Sequence, residues 1–313
     1  MIAPALFDLQ VNGFAGVDFQ QPDLSRENLR HAVEALRRHG TGGILLTLIT
    51  DEVSALCRKL ERLERLREQD ETVATMICGY HLEGPWLSPE PGFRGAHPAG
   101  LMRAPDVADY RLIRDAAGGR LRLVTLAPEL PGSDELITAA GRDRVVISLG
   151  HTDATEAQIE CAIAAGAALC THVGNGVPMT LPRHDNIVQR LLARDELTAC
   201  FIPDGVHLPQ HVLRNFVRSK PPGRAILTTD ATAAAGAPAG RYRLGRSEIE
   251  SDGETVRQPG QPHLAGSSLT PDRGVSNAAK WLGISQFDAR ALFSTTPAGL
   301  FDIKLPMSEL TPV

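Results

Sequence analysis

The chain has 313 residues, 42% of them apolar and 22% charged, and its 32 basic and 37 acidic side chains give a formal net charge of −5. That length suits one large α/β barrel or two ordinary domains, and the composition supplies a substantial core. The mild acidity excludes a basic nucleic-acid footprint and gives no global attraction for an anionic ligand, so any phosphate must be met by a local pocket.

In chain order, short apolar runs alternate with helix-period segments. Strands are predicted at 5–11, 43–49, 73–82, 121–127, 145–149, 168–172, 197–202 and 225–229. Helices are predicted at 25–39, 54–68, 107–117, 134–140, 156–165, 186–193, 210–218, 272–282 and 286–293. In the 54–68 segment, Leu56, Leu60, Leu63 and Leu66 recur at helical spacing while Arg and Glu fill the other face. The strands are short and almost continuously apolar, as expected where both faces are buried. Eight strands with interleaved helices point to an α/β fold, a (β/α)8 TIM barrel formed as a single domain over 1–313. Two stretches break the repeat: a Pro/Gly-rich loop at 84–100 and a hairpin excursion at 237–264, and loops of such length are usually functional.

The five cysteines form no C-x-x-C pair and read as reduced thiols. The opening residues M-I-A-P-A-L-F-D lack the basic start and apolar run of a signal peptide, and no apolar stretch reaches the ~18 residues of a membrane helix. A cytoplasmic protein without membrane or nucleic-acid partners is expected.

In a barrel of this kind the site is assembled from the C-terminal ends of the strands. Those ends carry unusual polar residues: Asp8, Gln10 and Asn12; His81 and Glu83; His151; His172 and Asn175; Asp204 and His207; and Asp230. A carboxylate with two imidazoles, Glu83 with His151 and His172, suits a divalent ion such as zinc and leaves a coordination position for water. Asp230, on another strand, can act as general base on that water and then protonate the leaving amine. An isolated strand-end histidine is more often packed than ligating, so His81 reads as structural or supporting. His31, His39, His184 and His211 fall on helices or helix starts and read as solvated or capping.

At these residues the chain resembles the N-acetylglucosamine-6-phosphate deacetylases of the amidohydrolase superfamily. The resemblance rests on ordered motifs: D-L-Q-V-N-G (8–13), H-L-E-G-P (81–85), G-A-H-P (95–98), G-H-T-D-A-T (150–155), T-H-V-G-N (171–175), D-G-V-H (204–207), T-D-A-T-A-A-A-G (229–236) and L-A-G-S-S-L-T (264–270). It implies Glu83, His151 and His172 as metal ligands and Asp230 as the catalytic acid/base. Gln10 stands where most amidohydrolases carry a histidine ligand, which implies one metal ion, zinc first, with iron(II), cobalt(II) or manganese(II) as alternatives. It further implies that His97 contacts sugar hydroxyls and that His207 polarises the acyl carbonyl or holds the phosphate. Asn175 and the backbone N–H of Gly176 would form part of a phosphate pocket. Arg183 would reach phosphate across a homodimer interface.

The chain also departs from the family. Little of the usual accessory β-sandwich is expected, since strand one begins near Met1 and little follows Pro297. Gly176 replaces a usual alanine, the P-R-H-D-N segment is unusual, and Arg94 in the loop beyond Trp86 is a candidate added contact. The expected reaction is hydrolysis of the amide of an N-acetyl amino sugar, N-acetylglucosamine 6-phosphate foremost. The alternatives are another amidohydrolase reaction on the same metal site (an unphosphorylated amino sugar, an N-acyl amino acid or a cyclic amide) and a catalytically silent barrel.

Overall fold

A computed structural model describes residues 2–261 and 263–309. The expected domain 1–313 and excursion 237–264 therefore include Met1, Pro262 and 310–313, which lie outside the described residues. Eight parallel strands follow one another around a barrel: β1 (Leu6–Val11), β2 (Thr41–Ile49), β3 (Ile77–Glu83), β4 (Leu121–Leu126), β5 (Val146–Leu149), β6 (Ala167–Cys170), β7 (Thr198–Phe201) and β8 (Ala225–Leu227). Each pairs with its sequence neighbour, and a parallel bridge between Val11 and Ala231 joins the last strand to the first.

That closure depends on a side chain. Asp8 accepts from Thr228 Oγ1, from Thr229 Oγ1 at 2.6 Å, and from the Thr229 and Gln10 backbone N–H groups at 3.1 and 3.2 Å. It is fully buried, and burial, only partly offset by these donors, raises its carboxyl to about 6. Asp8 thus stitches β1 to β8 just below the mouth.

The alternation of side chains across a strand sorts the barrel into layers. In β3, Tyr80 points outward, where its hydroxyl donates to Glu64 at 2.6 Å, while His81 and Glu83 point inward. The floor is apolar: Phe7, Leu9, Leu45, Leu123, Leu169 and Ile226 pack with Ala298 and Phe301 from the chain's C-terminal region. Above it lies a hydroxyl belt. His81 Nε2 meets Thr125 Oγ1 at 2.8 Å, Thr125 meets Thr171 at 2.8 Å, and Thr171 meets Ser148 at 2.6 Å. Burial lowers His81 to about 4, so it stays neutral in this belt.

The helices α1 (Arg26–Arg38) and α2 (Val53–Glu68) form where the periodicity predicts them, and the four leucines of α2 are buried. One expectation fails. The 73–82 segment begins as a helix, α3 (Glu71–Met76), and becomes strand only at Ile77. Its β-branched run reads as strand, but the Asp70 side chain accepts from the Thr72 and Val73 N–H groups and nucleates a helical turn instead. The excursion is a three-stranded antiparallel sheet: β9 (Gly240–Leu244), β10 (Ser247–Ser251) and β11 (Val256–Arg257). Beyond the barrel and this sheet, the described strands are two short ribbons, Ile2–Pro4 with Met307–Glu309 and Gly13–Phe14 with Val17–Asp18, and none of them forms a β-sandwich. No described helix is long and apolar enough to cross a membrane.

Candidate metal centre and substrate cavity

The strand ends deliver their polar side chains to one point. Glu83 Oε1 lies 3.0 Å from His172 Nε2 and 3.5 Å from His151 Nε2, and Glu83 Oε2 lies 3.5 Å from His97 Nε2. The rings of His97 and His151, and of His151 and His172, stand edge to face with centroids 4.7 and 5.0 Å apart. All four residues are buried. Ligating atoms of Glu83, His97 and His151 come within 4.8 Å of one another. His97 rides on the 84–100 loop and His151 and His172 on strand ends. The sequence reading thus assigned to sugar contact a residue that stands beside the carboxylate.

Backbone conformation aims these groups. Among the described residues six non-glycine residues have positive φ, and three of them are His151 (51°), His172 (24°) and Asp230 (51°). Such conformations cost of order 1–3 kcal/mol each and persist only where their surroundings impose them. For Asp230 the surroundings are explicit. Ala231 is bridged on one side to Val11 and on the other to Ser267. The Ser267 N–H donates to the Asp230 carbonyl at 2.9 Å, and its hydroxyl donates to the Thr229 carbonyl at 2.6 Å. The L-A-G-S-S-L-T segment therefore acts as a splint on the back of Asp230.

Hydrogen bonds orient the rings. His151 Nδ1 contacts the Phe93 carbonyl at 2.7 Å, which fixes that nitrogen as donor and leaves the Nε2 lone pair facing Glu83. His97 Nδ1 contacts Thr50 Oγ1 at 2.9 Å. His207 Nδ1 contacts Asp204 at 2.6 Å, so its other nitrogen is free for the cavity. Gln10 Nε2 donates to both Glu83 (2.9 Å) and Asp230 (3.1 Å), and Asn12 Nδ2 donates to Asp230 (2.8 Å). Gln10 thus bridges the Glu83 and Asp230 carboxylates.

The electrostatics fit a cation. Burial pushes the Glu83 carboxyl up, but its contacts with the His151, His172 and His97 imidazoles outweigh it and hold it well below the usual carboxylate range. Burial opposes charge on His172, yet Glu83 prevails and raises it, whereas burial lowers His97. Three imidazole nitrogens converge on one anion with too few protons to share, an arrangement that a divalent ion satisfies. Burial, and next the charge of Glu83, raise Asp230 to about 6, with His172, His207 and Asn12 pulling it back.

These groups line a cavity of about 510 Å³, within the usual range for a small-ligand site. His97, Asn175, Gly176 and His207 all line it. Asn175 Nδ2 donates to the His172 carbonyl at 3.0 Å, which leaves its oxygen as the free end. Arg183 is exposed and does not line the cavity of its own chain. Trp86 is fully buried in the core, and neither it nor Arg94 lines the cavity, whereas Gly92, Gly95, Ala96 and His97 of the same loop do. Lys59, Arg246, Arg257 and His263, which the sequence reading left without a role in the site, do line it.

At Gly176 the backbone packs closely on the His151 ring in this chain. Its φ is +61°, and a Cβ there would lie 2.7 Å from His151 Nδ1. Gly176→Ala is expected to displace the imidazole from Phe93 and weaken metal affinity by about tenfold or more, by analogy with loss of other ligand-orienting contacts. Metal titration against wild type checks this; equal affinity would show that the ring adapts.

The chain matches no family-wide sequence profile. Individual relatives do match. It is 33% identical to the N-acetylglucosamine-6-phosphate deacetylase of Bos taurus, over 97% of this chain and 75% of the relative. It is 31% identical to the N-acetylgalactosamine-6-phosphate deacetylase of Escherichia coli O157:H7, over 100% of this chain and 81% of the relative. Among solved structures, an aspartate-to-alanine variant of the Mycobacterium smegmatis N-acetyl-D-glucosamine-6-phosphate deacetylase, in complex with N-acetyl-D-glucosamine-6-phosphate, superposes with a TM-score of 0.87 at 32% identity, over 97% of this chain and 78% of that one. With its barrel, its buried carboxylate–histidine cluster and this similarity over 97% of its residues, the chain belongs to the N-acetylglucosamine-6-phosphate deacetylase family of the amidohydrolases.

Proposed function

We propose that this protein hydrolyses the amide of an N-acetyl amino sugar 6-phosphate, N-acetylglucosamine 6-phosphate foremost, to acetate and the free amine. The observation that carries the reading is the convergence of Glu83, His151 and His172 beside Asp230 at the floor of one cavity.

Glu83, His151 and His172 are the residues that would hold the divalent ion. His172 is preferred to His97 as the third ligand because it lies closer to Glu83 and stands on a strand end, where geometry is better defined than on a loop. The nitrogen-rich set with one carboxylate suits zinc, with iron(II), cobalt(II) and manganese(II) as substitutes. A bound ion of this kind polarises the acyl carbonyl and acidifies water near neutral pH.

Asp230 accepts the proton of the attacking water as the C–O bond forms. It then delivers that proton to the amine nitrogen as the C–N bond breaks. Asn12 and Gln10 hold its Oδ1, leaving Oδ2 for proton transfer. His207, its Nδ1 fixed by Asp204, presents Nε2 to the acyl oxygen or the phosphate. His97 serves the ring hydroxyls, and Asn175 and the Gly176 N–H complete the polar contacts. Arg183, exposed and outside the cavity of its own chain, would contact substrate from a second copy in a homodimer.

The test is acetate release by zinc-loaded protein from N-acetylglucosamine 6-phosphate, its galacto epimer and unphosphorylated N-acetylglucosamine. Turnover of a phosphorylated sugar is expected. Turnover confined to N-acyl amino acids or cyclic amides would replace this reading with another amidohydrolase activity.

A further inference from the structure

The 84–100 loop completes the carboxylate–histidine cluster. It brings His97 to Glu83, its Phe93 carbonyl meets His151 Nδ1, and a Cβ at Gly95 would lie 3.0 Å from His151 Cε1. Part of what holds this loop lies outside the barrel. Ala96, the neighbour of His97, packs against the small core of the hairpin excursion, formed by Leu244, Ile249, Val256 and Ala265 with Ala234. Gln258, just beyond β11, donates from Nε2 to the Ala96 carbonyl at 3.4 Å.

Two buried carboxylates in turn dock the tip of the hairpin, between β9 and β10. The Gly245 N–H donates to Asp18 Oδ2 at 2.9 Å, and Arg246 donates to Asp51 Oδ1 from Nε at 3.1 Å and from Nη2 at 2.7 Å. Asp51 also takes Lys59 Nζ at 2.7 Å, so a second, buried cation holds the acceptor in place. An ion pair between two exposed side chains stabilises little, but this guanidinium meets a buried carboxylate with two of its donors. Asp51 directly follows Thr50, whose Oγ1 lies 2.9 Å from His97 Nδ1. The end of β2 therefore holds His97 with one residue and the hairpin tip with the next.

We infer that the hairpin sheet is a clamp on the 84–100 loop, with Arg246 and Gln258 as positioning residues. Arg246 latches the sheet to Asp51, and Gln258 ties the sheet to the loop, so that His97 and His151 keep their orientation toward Glu83. The clamp itself stands on these contacts; its effect on turnover rests on the proposed deacetylase reading.

Amide hydrogen exchange on zinc-loaded wild type, Arg246→Gln, Arg246→Lys and Gln258→Ala reads the clamp without any substrate. In the held loop the His97 N–H donates to the Arg94 carbonyl at 3.1 Å, which protects it. Exchange across 93–97 should rise about threefold or more in Arg246→Gln and in Gln258→Ala, as the loop opens more often. Arg246→Lys keeps a cation beside Asp51 and should stay near wild type. Zinc affinity should fall by about threefold or more in the same two variants, because His151 loses its orienting carbonyl for part of the time. At saturating zinc, KM for N-acetylglucosamine and for its 6-phosphate should rise by the same factor, since the ring hydroxyls met by His97 are common to both. Wild-type exchange across 93–97 in both Arg246→Gln and Gln258→Ala overturns the inference. A KM raised for the phosphorylated sugar alone, with exchange unchanged, makes Arg246 a direct contact of the anion and overturns it as well. If wild type turns over neither sugar, the deacetylase reading fails, and the exchange comparison still decides the clamp.

Discussion

Asp230→Asn lowers kcat by about a thousandfold or more and leaves bound metal near one equivalent per chain. The carboxamide keeps the size of the side chain and its contacts with Asn12 and Gln10 after local reorientation, but it cannot accept a proton. Asp230 is not among the three groups assigned to the ion, so occupancy should not follow the loss of rate. The same residue sets the direction of the pH profile. Its carboxyl is raised to about 6, mainly by burial, and only the ionised form accepts a proton. Activity is therefore present above that value and lost as the pH falls through it. A cation bound beside Asp230 favours the ionised form and moves the acid limb of kcat/KM to about 6 or lower. Acid-base kinetics on the zinc-loaded enzyme check this, and a limb well above 6 would point to another base.

Glu83→Gln separates the ligand role from the base role. The substitution removes the anion on which three imidazoles converge and replaces it with a neutral amide. Metal affinity should fall by more than about a hundredfold, since even ligand-orienting partners contribute ten- to hundredfold. The rate should fall with occupancy and recover in part at high zinc concentration. Glu83 is also the second largest influence raising Asp230, so its neutralisation makes Asp230 more acidic and the residual activity extends to lower pH. Normal zinc content in this variant would remove Glu83 from the coordination sphere.

Much of the barrel was legible because its signals are local. The leucine spacing of α2 and the apolar runs of the strands require no knowledge of the rest of the chain. The 73–82 segment misled for the opposite reason. Its β-branched residues favour strand, and a single capping carboxylate, Asp70, overrides them. The site was legible as a list of polar residues at strand ends. Its internal arrangement was not. Left-handed φ values at His151, His172 and Asp230 leave only a weak trace in residue type, because histidine and aspartate are enriched in that region but do not announce it as glycine would. Ser267 was visible only inside a motif, and its two backbone bonds near Asp230 give that motif a physical task. The position of His97 beside Glu83 depends on how the 84–100 loop folds back over the mouth, a non-local event. Lys59, from α2, and Arg246 and Arg257, from the hairpin sheet, likewise reach one cavity from distant parts of the chain.

The most direct measurement is anomalous diffraction from zinc-soaked crystals, which locates the ion without reference to activity. One peak about 2.0–2.2 Å from a Glu83 oxygen and from Nε2 of both His151 and His172 is the expected result. A peak held by His97 in place of His172, or one remote from Glu83, would contradict the assignment.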